Sequence, residues 1–303
     1  MLRSPYWQLD VFAERPGQGN PLGVVLDARD WSDAAMQAFA HWTALVETTF
    51  LLPPTQAGAD YRVRIFTPQR EIAFAGHPSL GSAHVALDAG LAALRNGAVV
   101  QECGAGLLPI RAETEAETDT DTDTPPRWLY VQAPRARVLR TDGGGAADAL
   151  LGRLLPAARR GTLAPALVEG GRRWWIAELD SEAAVRAYAA DTAAIAALAR
   201  RDDALGLCVF ARCRGAAYDV VVRAFPCGVG IAEDPASGAA NGLIAGYLAL
   251  AEPGGALAGG YRVSQGREIG HDARLRVRRD ADGSVWVGGP TCTVLRGEVH
   301  WPR

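Results

Sequence analysis

Residues 61–83 read YRVRIFTPQREIAFAGHPSLGSA, and residues 218–240 read YDVVVRAFPCGVGIAEDPASGAA. Each begins with alternating residues that stop at a proline, the pattern of a half-buried strand. Each ends in a matching heptad: His77-Pro78-Ser79-Leu80-Gly81-Ser82-Ala83 in the first, Asp234-Pro235-Ala236-Ser237-Gly238-Ala239-Ala240 in the second, 157 residues later. An apolar, small-residue helix is expected after each heptad, over 83–89 and 241–250. Another strand is expected before each alternating run, over 48–52 and 205–211. A duplicated strand–turn–helix unit in one chain points to two similar domains, each a sheet around one small-residue helix.

The rest of the chain fits that frame. With 303 residues, 49% of them hydrophobic and 21% charged, it has the composition of a globular protein with room for two cores. The net charge of −3 gives no basic excess for nucleic acid, so no nucleic-acid partner is expected. All basic side chains other than histidine are arginine. The absence of lysine excludes Schiff-base chemistry and a Walker phosphate loop. Five cysteines with no C-x-x-C spacing suggest neither a disulfide scaffold nor a thiolate zinc site, and a cytoplasmic location is expected. The first residues lack the pattern of a signal peptide, and no apolar run is long enough for a membrane helix. His41, His84, His271 and His300 lack metal-ligand spacing, so no metal is expected. Gly104-Ala105-Gly106 lacks the third glycine and following helix of a dinucleotide fingerprint, so no cofactor is expected. Residues 173–179 read as a strand and 180–200 as a helix. Residues 113–126, ETEAETDTDTDTPP, read as a solvated loop, with an acidic docking segment as the alternative.

The chemistry is expected at the heptads. A helix N-terminus presents unbonded N–H groups and positive dipole, an anion site when small residues allow close approach. Pro78 and Pro235 suit first-turn positions, and Asp234 is a candidate N-cap. If the two domains face each other, both helix starts point into one cleft that holds a carboxylate, with His77 and Asp234 entering from opposite sides. Glu47 stands between an apolar helix-like stretch (36–46) and the strand at 48–52. A carboxylate desolvated at such a junction becomes a usable acid or base near neutrality; otherwise it is a solvated boundary residue.

Several stretches together resemble the PhzF-like (phenazine-biosynthesis-like) family. They are Gln8-Leu9-Asp10-Val11-Phe12, Gly19-Asn20-Pro21-Leu22-Gly23-Val24-Val25, Glu47-Thr48-Thr49-Phe50, Arg64-Ile65-Phe66-Thr67-Pro68, Phe74-Ala75-Gly76-His77-Pro78-Ser79, Glu233-Asp234-Pro235-Ala236-Ser237-Gly238 and Ser264-Gln265-Gly266. The resemblance implies an α+β, diaminopimelate-epimerase-like fold of two pseudo-symmetric domains, each a curved mixed sheet wrapped around a central helix. From it we expect an N-terminal half over 1–128, with 293–303 packing against it, and a C-terminal half over 129–292. It implies a homodimer, no cofactor, and a small carboxylate substrate. The implied activity is that of an isomerase moving a proton by glutamate acid–base catalysis, as in the isomerisation of trans-2,3-dihydro-3-hydroxyanthranilate. Glu47, His77 and Asp234 match the catalytic positions; Gly76, Ser79, Ser237, Gly238 and Ala239 match the substrate-binding turns. The family pattern has serine where this chain has Ala239, and arginine where it has His271. The lost hydroxyl leaves a non-catalytic ligand-binding or sensing protein as the alternative. Ser79, Ser82 and Ala239 stand where the two-cysteine racemases of this fold carry thiols.

Overall fold

The computed structural model describes residues 1–114, 127–141, 149–215 and 217–303. Most of 113–126, the acidic stretch, therefore lies outside the described residues. The chain forms two compact units, one of residues 1–132 and 288–303 and the other of residues 133–287.

The first unit contains β1 (Leu2–Val11), β2 (Asn20–Val25), α1 (Asp33–Thr43), β3 (Thr48–Leu52), β4 (Tyr61–Phe66), β5 (Glu71–Ile72), α2 (Gly76–Asp88), β6 (Ala98–Cys103), β7 (Gly106–Thr114) and β8 (Arg127–Gln132). The second contains β9 (Arg137–Thr141), α3 (Ala149–Leu154), β10 (Ala166–Gly170), β11 (Arg172–Glu178), α4 (Glu182–Arg186), α5 (Thr192–Asp202), β12 (Leu207–Arg212), β13 (Val220–Phe225), α6 (Gly238–Ala251), β14 (Gly260–Gln265) and β15 (Ala273–Arg279). The chain returns to the first unit within β16 (Val285–Trp301).

Both units use one pairing scheme. In the first, β1–β2, β3–β4 and β6–β7 are antiparallel, whereas β2–β3 and β4–β6 are parallel. In the second, β10–β11, β12–β13 and β14–β15 are antiparallel, whereas β11–β12 and β13–β14 are parallel. Parallel neighbours need a crossover. Helices α1 and α2 supply it in the first unit; α4 with α5, and then α6, supply it in the second. The duplicated mixed sheet with one central helix per unit is the α+β architecture expected from the repeat and the resemblance.

The central helices are central because they have no polar face. Every residue of α2 from His77 to Ala83 is buried, and every residue of α6 from Ala240 to Leu248. A helix apolar all round must be covered all round. Helix α2 packs on β1, β2, β3, β4, β6, β7 and β8, and α6 on β9, β10, β11 and β15. In the first unit β8 neighbours β16, and β16 pairs back to β1, so the strands close around their helix. Small residues allow that approach. A Cβ on Gly81 would overlap Leu22 Cδ2 and lie 3.0 Å from Val11 Cγ2.

Two details differ from the sequence reading, and a third agrees with it. The central helices begin earlier than expected, α2 at Gly76 just before its heptad and α6 at Gly238 inside its own. The helix expected over 180–200 is two helices, because Asp191 caps a new one by accepting from Ala194 N (2.9 Å). The Gly104-Ala105 pair is the turn of the β6–β7 hairpin, closed by the pairing of Cys103 with Gly106. Among the described residues no helix is long and apolar enough to cross a membrane.

The packing of α2 yields a stability prediction. Gly81→Val should destabilise the protein by about 1–3 kcal/mol through overpacking. Chemical denaturation measures it, and an unchanged midpoint would contradict the close helix–sheet contact.

Candidate active site

In the first unit the site is built where β3 and α2 begin. Helix α1 ends at Ala44, whose left-handed backbone (φ 53°) turns the chain toward β3. Two hydroxyl contacts hold the start of β3: the half-buried Thr43 Oγ1 with Thr48 Oγ1 (2.9 Å), and the buried Ser82 Oγ donating to Thr49 Oγ1 (3.0 Å). Glu47, immediately before β3, is thereby fixed beside the first turn of α2. Its Oε2 lies 3.4 Å from His77 Nε2, with side-chain exposures of only 12% and 8%.

Burial pushes the His77 imidazole down to a pKa of about 3. Desolvation disfavours the charged ring, so His77 is neutral at physiological pH. The pair is therefore not an ion pair between two charged groups. At 3.4 Å the two atoms touch, but no hydrogen bond joins them.

The turn that carries His77 has an open N-terminus. Helix α2 starts after Ala75 with no side-chain cap. Gly76 and His77 occupy its first two positions, whose N–H groups have no intrahelical partner, and Pro78 at the third has no N–H. Ser79, at the fourth, is fully buried. Its hydroxyl donates to the Ala75 carbonyl (2.9 Å) and accepts from Gln101 Nε2 (3.0 Å).

The second unit carries the other predicted residues: Asp234, Ser237, Gly238 and Ala239. The N-cap of α6 is Ser237, whose hydroxyl accepts from Ala240 N (3.3 Å). This corrects two expectations. Asp234 is not the cap, and Pro235 lies ahead of the helix rather than in its first turn. Asp234 instead accepts from Ala236 N (3.3 Å), an Asx-type turn leading into the cap. The helix starts correspond as Gly76 with Gly238 and His77 with Ala239, an offset of 162 residues instead of the 157 of the heptads. Ala239 is exposed, so the second position of α6 offers an N–H and a methyl group.

Neighbouring groups hold this turn. Gln265 Oε1 accepts from Ser237 N (3.2 Å) and Asn241 Nδ2 (3.0 Å), while its Nε2 donates to the Asp234 carbonyl (2.9 Å). Gly266 follows at φ 93°, and a Cβ there would come within 2.6 Å of the Pro235 carbonyl oxygen. Beside Asp234, Glu233 receives two hydrogen bonds from Arg223, at 2.9 and 2.7 Å. Gln101, Asn241 and the Arg223–Glu233 pair were not singled out from the sequence. The available signal was a polar side chain at an inward strand or helix position: Gln101 interrupts the buried series Val99, Gln101, Cys103.

Among the described residues no group of three or more His, Cys, Asp or Glu is placed to hold a metal ion. The chemistry this arrangement supports is a buried carboxyl beside a neutral imidazole, with helix N–H groups available to an anion.

Comparison with known proteins agrees with the duplicated fold. The family described as phenazine biosynthesis-like protein matches residues 9–297. The trans-2,3-dihydro-3-hydroxyanthranilate isomerase of Pseudomonas aeruginosa is 33% identical over 304 residues, covering 97% of this chain and 99% of its own. Antisense-enhancing sequence 1 of Schizosaccharomyces pombe is 29% identical, covering 98% and 99%. Among solved structures, a predicted epimerase from Pseudomonas aeruginosa superimposes with a TM-score of 0.73 at 29% identity, covering 98% of this chain and 99% of its own. A PhzF-family protein from Bacillus anthracis gives 0.84 at 22% identity, covering 99% and 100%. With a match running through both units and both helix starts, the chain belongs to the phenazine biosynthesis-like family, whose members are named isomerases and epimerases.

Proposed function

We propose that this chain is a cofactor-independent isomerase that moves a proton on a small cyclic or unsaturated carboxylate. The observation that carries the proposal is the buried contact of Glu47 with neutral His77 at the uncapped start of α2. Glu47 is the acid–base group. As carboxylate it takes a proton from a substrate carbon; the C–H electron pair moves into the adjacent unsaturation, and Glu47 returns a proton at another carbon. The reaction is redox-neutral and needs no external acceptor.

His77 is the neutral polar neighbour of that carboxyl, 3.4 Å away. The N–H groups of Gly76 and His77 suit a substrate carboxylate. Asp234 is assigned as a further polar partner of the substrate, and the turn of Ser237, Gly238 and Ala239 as a second binding element. Ser79 serves the site through the turn, since its hydroxyl is engaged within the protein. The substrate class follows the relative named trans-2,3-dihydro-3-hydroxyanthranilate isomerase. The assembly proposed is a homodimer.

A second reading is motivated by Ala239. Without a hydroxyl at that position the chain would bind a ligand without transforming it. Turnover separates the two readings.

On an isomerised substrate, Glu47→Gln should lower kcat by about 10²–10⁴, the usual contribution of a positioned acid or base. Steady-state kinetics at substrate saturation reads it, and an unchanged kcat would remove Glu47 from the chemistry.

His77 also sets a pH dependence of stability. Its pKa is about 3 folded and about 6.5 unfolded, so the unfolded chain binds more protons between those values. Stability is complete above about pH 6.5 and falls as pH is lowered toward 3. Between pH 7 and pH 5 the protein should lose about 2 kcal/mol more than His77→Gln, which has no proton to gain there. Denaturation of both proteins at the two pH values measures the difference; equal losses would mean the ring is not buried neutral.

A further inference from the structure

The two central helices share a buried device that neither the acid–base pair nor the substrate contacts explain. In each unit, the strand that follows the helix carries a fully buried glutamine: Gln101 on β6 and Gln265 on β14. Each glutamine bonds a polar side chain at the fourth position of its helix. Gln101 Nε2 donates to Ser79 Oγ (3.0 Å), and Gln265 Oε1 accepts from Asn241 Nδ2 (3.0 Å). Each fourth-position side chain then donates to the carbonyl of its helix N-cap: Ser79 Oγ to Ala75 O (2.9 Å), and Asn241 Nδ2 to Ser237 O (2.9 Å).

The same two carbonyls also accept the regular helical bonds from Ser79 N (3.2 Å) and Asn241 N (3.1 Å). Each N-cap carbonyl thus has two donors, which occupy both of its lone pairs. A tyrosine hydroxyl adjoins each set: Tyr61 donates to Gln101 Oε1 (3.2 Å) and Tyr261 to the Asn241 carbonyl (3.5 Å). The polar types differ between units, serine in one and asparagine in the other, and the direction of the glutamine bond reverses. The connectivity of glutamine, fourth residue and cap carbonyl is the same.

Burying this many polar groups beside two apolar helices is costly unless they are bonded, and of the glutamine, serine and asparagine side-chain atoms involved only Asn241 Oδ1 has no hydrogen-bond partner. Side-chain capping alone does not require it: Ser32, Ser181 and Asp191 cap other helices by accepting a backbone N–H through one side-chain oxygen. What distinguishes α2 and α6 is that the cap carbonyl is held by a buried fourth-position side chain, which a strand glutamine bonds in turn.

We infer that Gln101 and Gln265 are positioning residues that fix the two N-cap peptides, and so aim the N–H groups of Gly76 and His77, and of Gly238 and Ala239, before an anion arrives. The inference rests on the proposed carboxylate site for its purpose, but the positioning itself does not depend on a ligand. Holding donors rigid in advance spares a bound anion the cost of ordering them. Gln265 extends the effect to the Asp234 loop through its bond to the Asp234 carbonyl.

The test is Gln265→Met, which keeps approximate volume and removes the hydrogen bonds. Amide hydrogen exchange of the free protein is read by NMR at Ser237 and Asn241, with Ala245 and Leu248 in the same helix as internal controls. Exchange at Ser237 and Asn241 should rise at least about tenfold relative to the controls. Titration with anthranilate, the probe carboxylate, should show binding weakened about tenfold, with smaller amide shifts at Gly238 and Ala239 and unaltered shifts at Gly76 and His77. If Gln265→Met does not fold, Asn241→Ala breaks the same chain one bond earlier and takes the same measurements. Uniform or unchanged exchange along α6 would overturn the positioning role. Faster exchange at the turn in a protein whose wild type does not bind anthranilate would uphold positioning and count against the carboxylate site.

Discussion

Two helices without a polar face impose the rest of this structure. Helices α2 and α6 expose almost nothing between their first turns and their ends, so each must be surrounded by strands. The alternating parallel and antiparallel pairings and the crossovers serve that enclosure. It also concentrates polar chemistry at the helix starts, where backbone N–H groups remain unbonded and cannot be left buried without partners. The candidate active site lies at such N–H groups, and the buried glutamine bonds hold the cap peptides beside them.

The electrostatics of the first unit follow from the same enclosure. His77 sits in the first turn of a buried helix, and the desolvation that accompanies that place keeps its ring neutral. A charged imidazole there would hold Glu47 as a fixed counter-ion. A neutral one places no opposite charge beside it, as the acid–base role proposed for Glu47 requires.

The architecture was legible in the sequence because it is written twice. Two alternating runs ending in proline, each followed by glycine- and alanine-rich residues, identify repeated strand–helix units, and the structure has them. In the second unit the cap is displaced because proline and aspartate are good signals of a helix beginning and that heptad contains both. In the second unit Ser237 holds the cap, and the Asp-Pro pair forms the turn before it. Asp191 inside an alanine-rich stretch was read as part of one helix, although its carboxylate starts a second. Glu47 was legible as a junction carboxylate, but its contact with His77 depends on how β3 is set against α2 by the Ser82–Thr49 bond. Gln101 was silent because a lone buried glutamine acquires meaning only through partners 22 and 40 residues away in sequence.

The central claim is that Glu47 handles a proton of the substrate. The most direct measurement is NMR of trans-2,3-dihydro-3-hydroxyanthranilate incubated with the protein in heavy water, with Glu47→Gln alongside. The account predicts isomerisation with deuterium entering at the carbon that receives the proton, and neither with the variant. Conversion that persists undiminished in Glu47→Gln, or a bound compound that neither rearranges nor takes up deuterium, would contradict it.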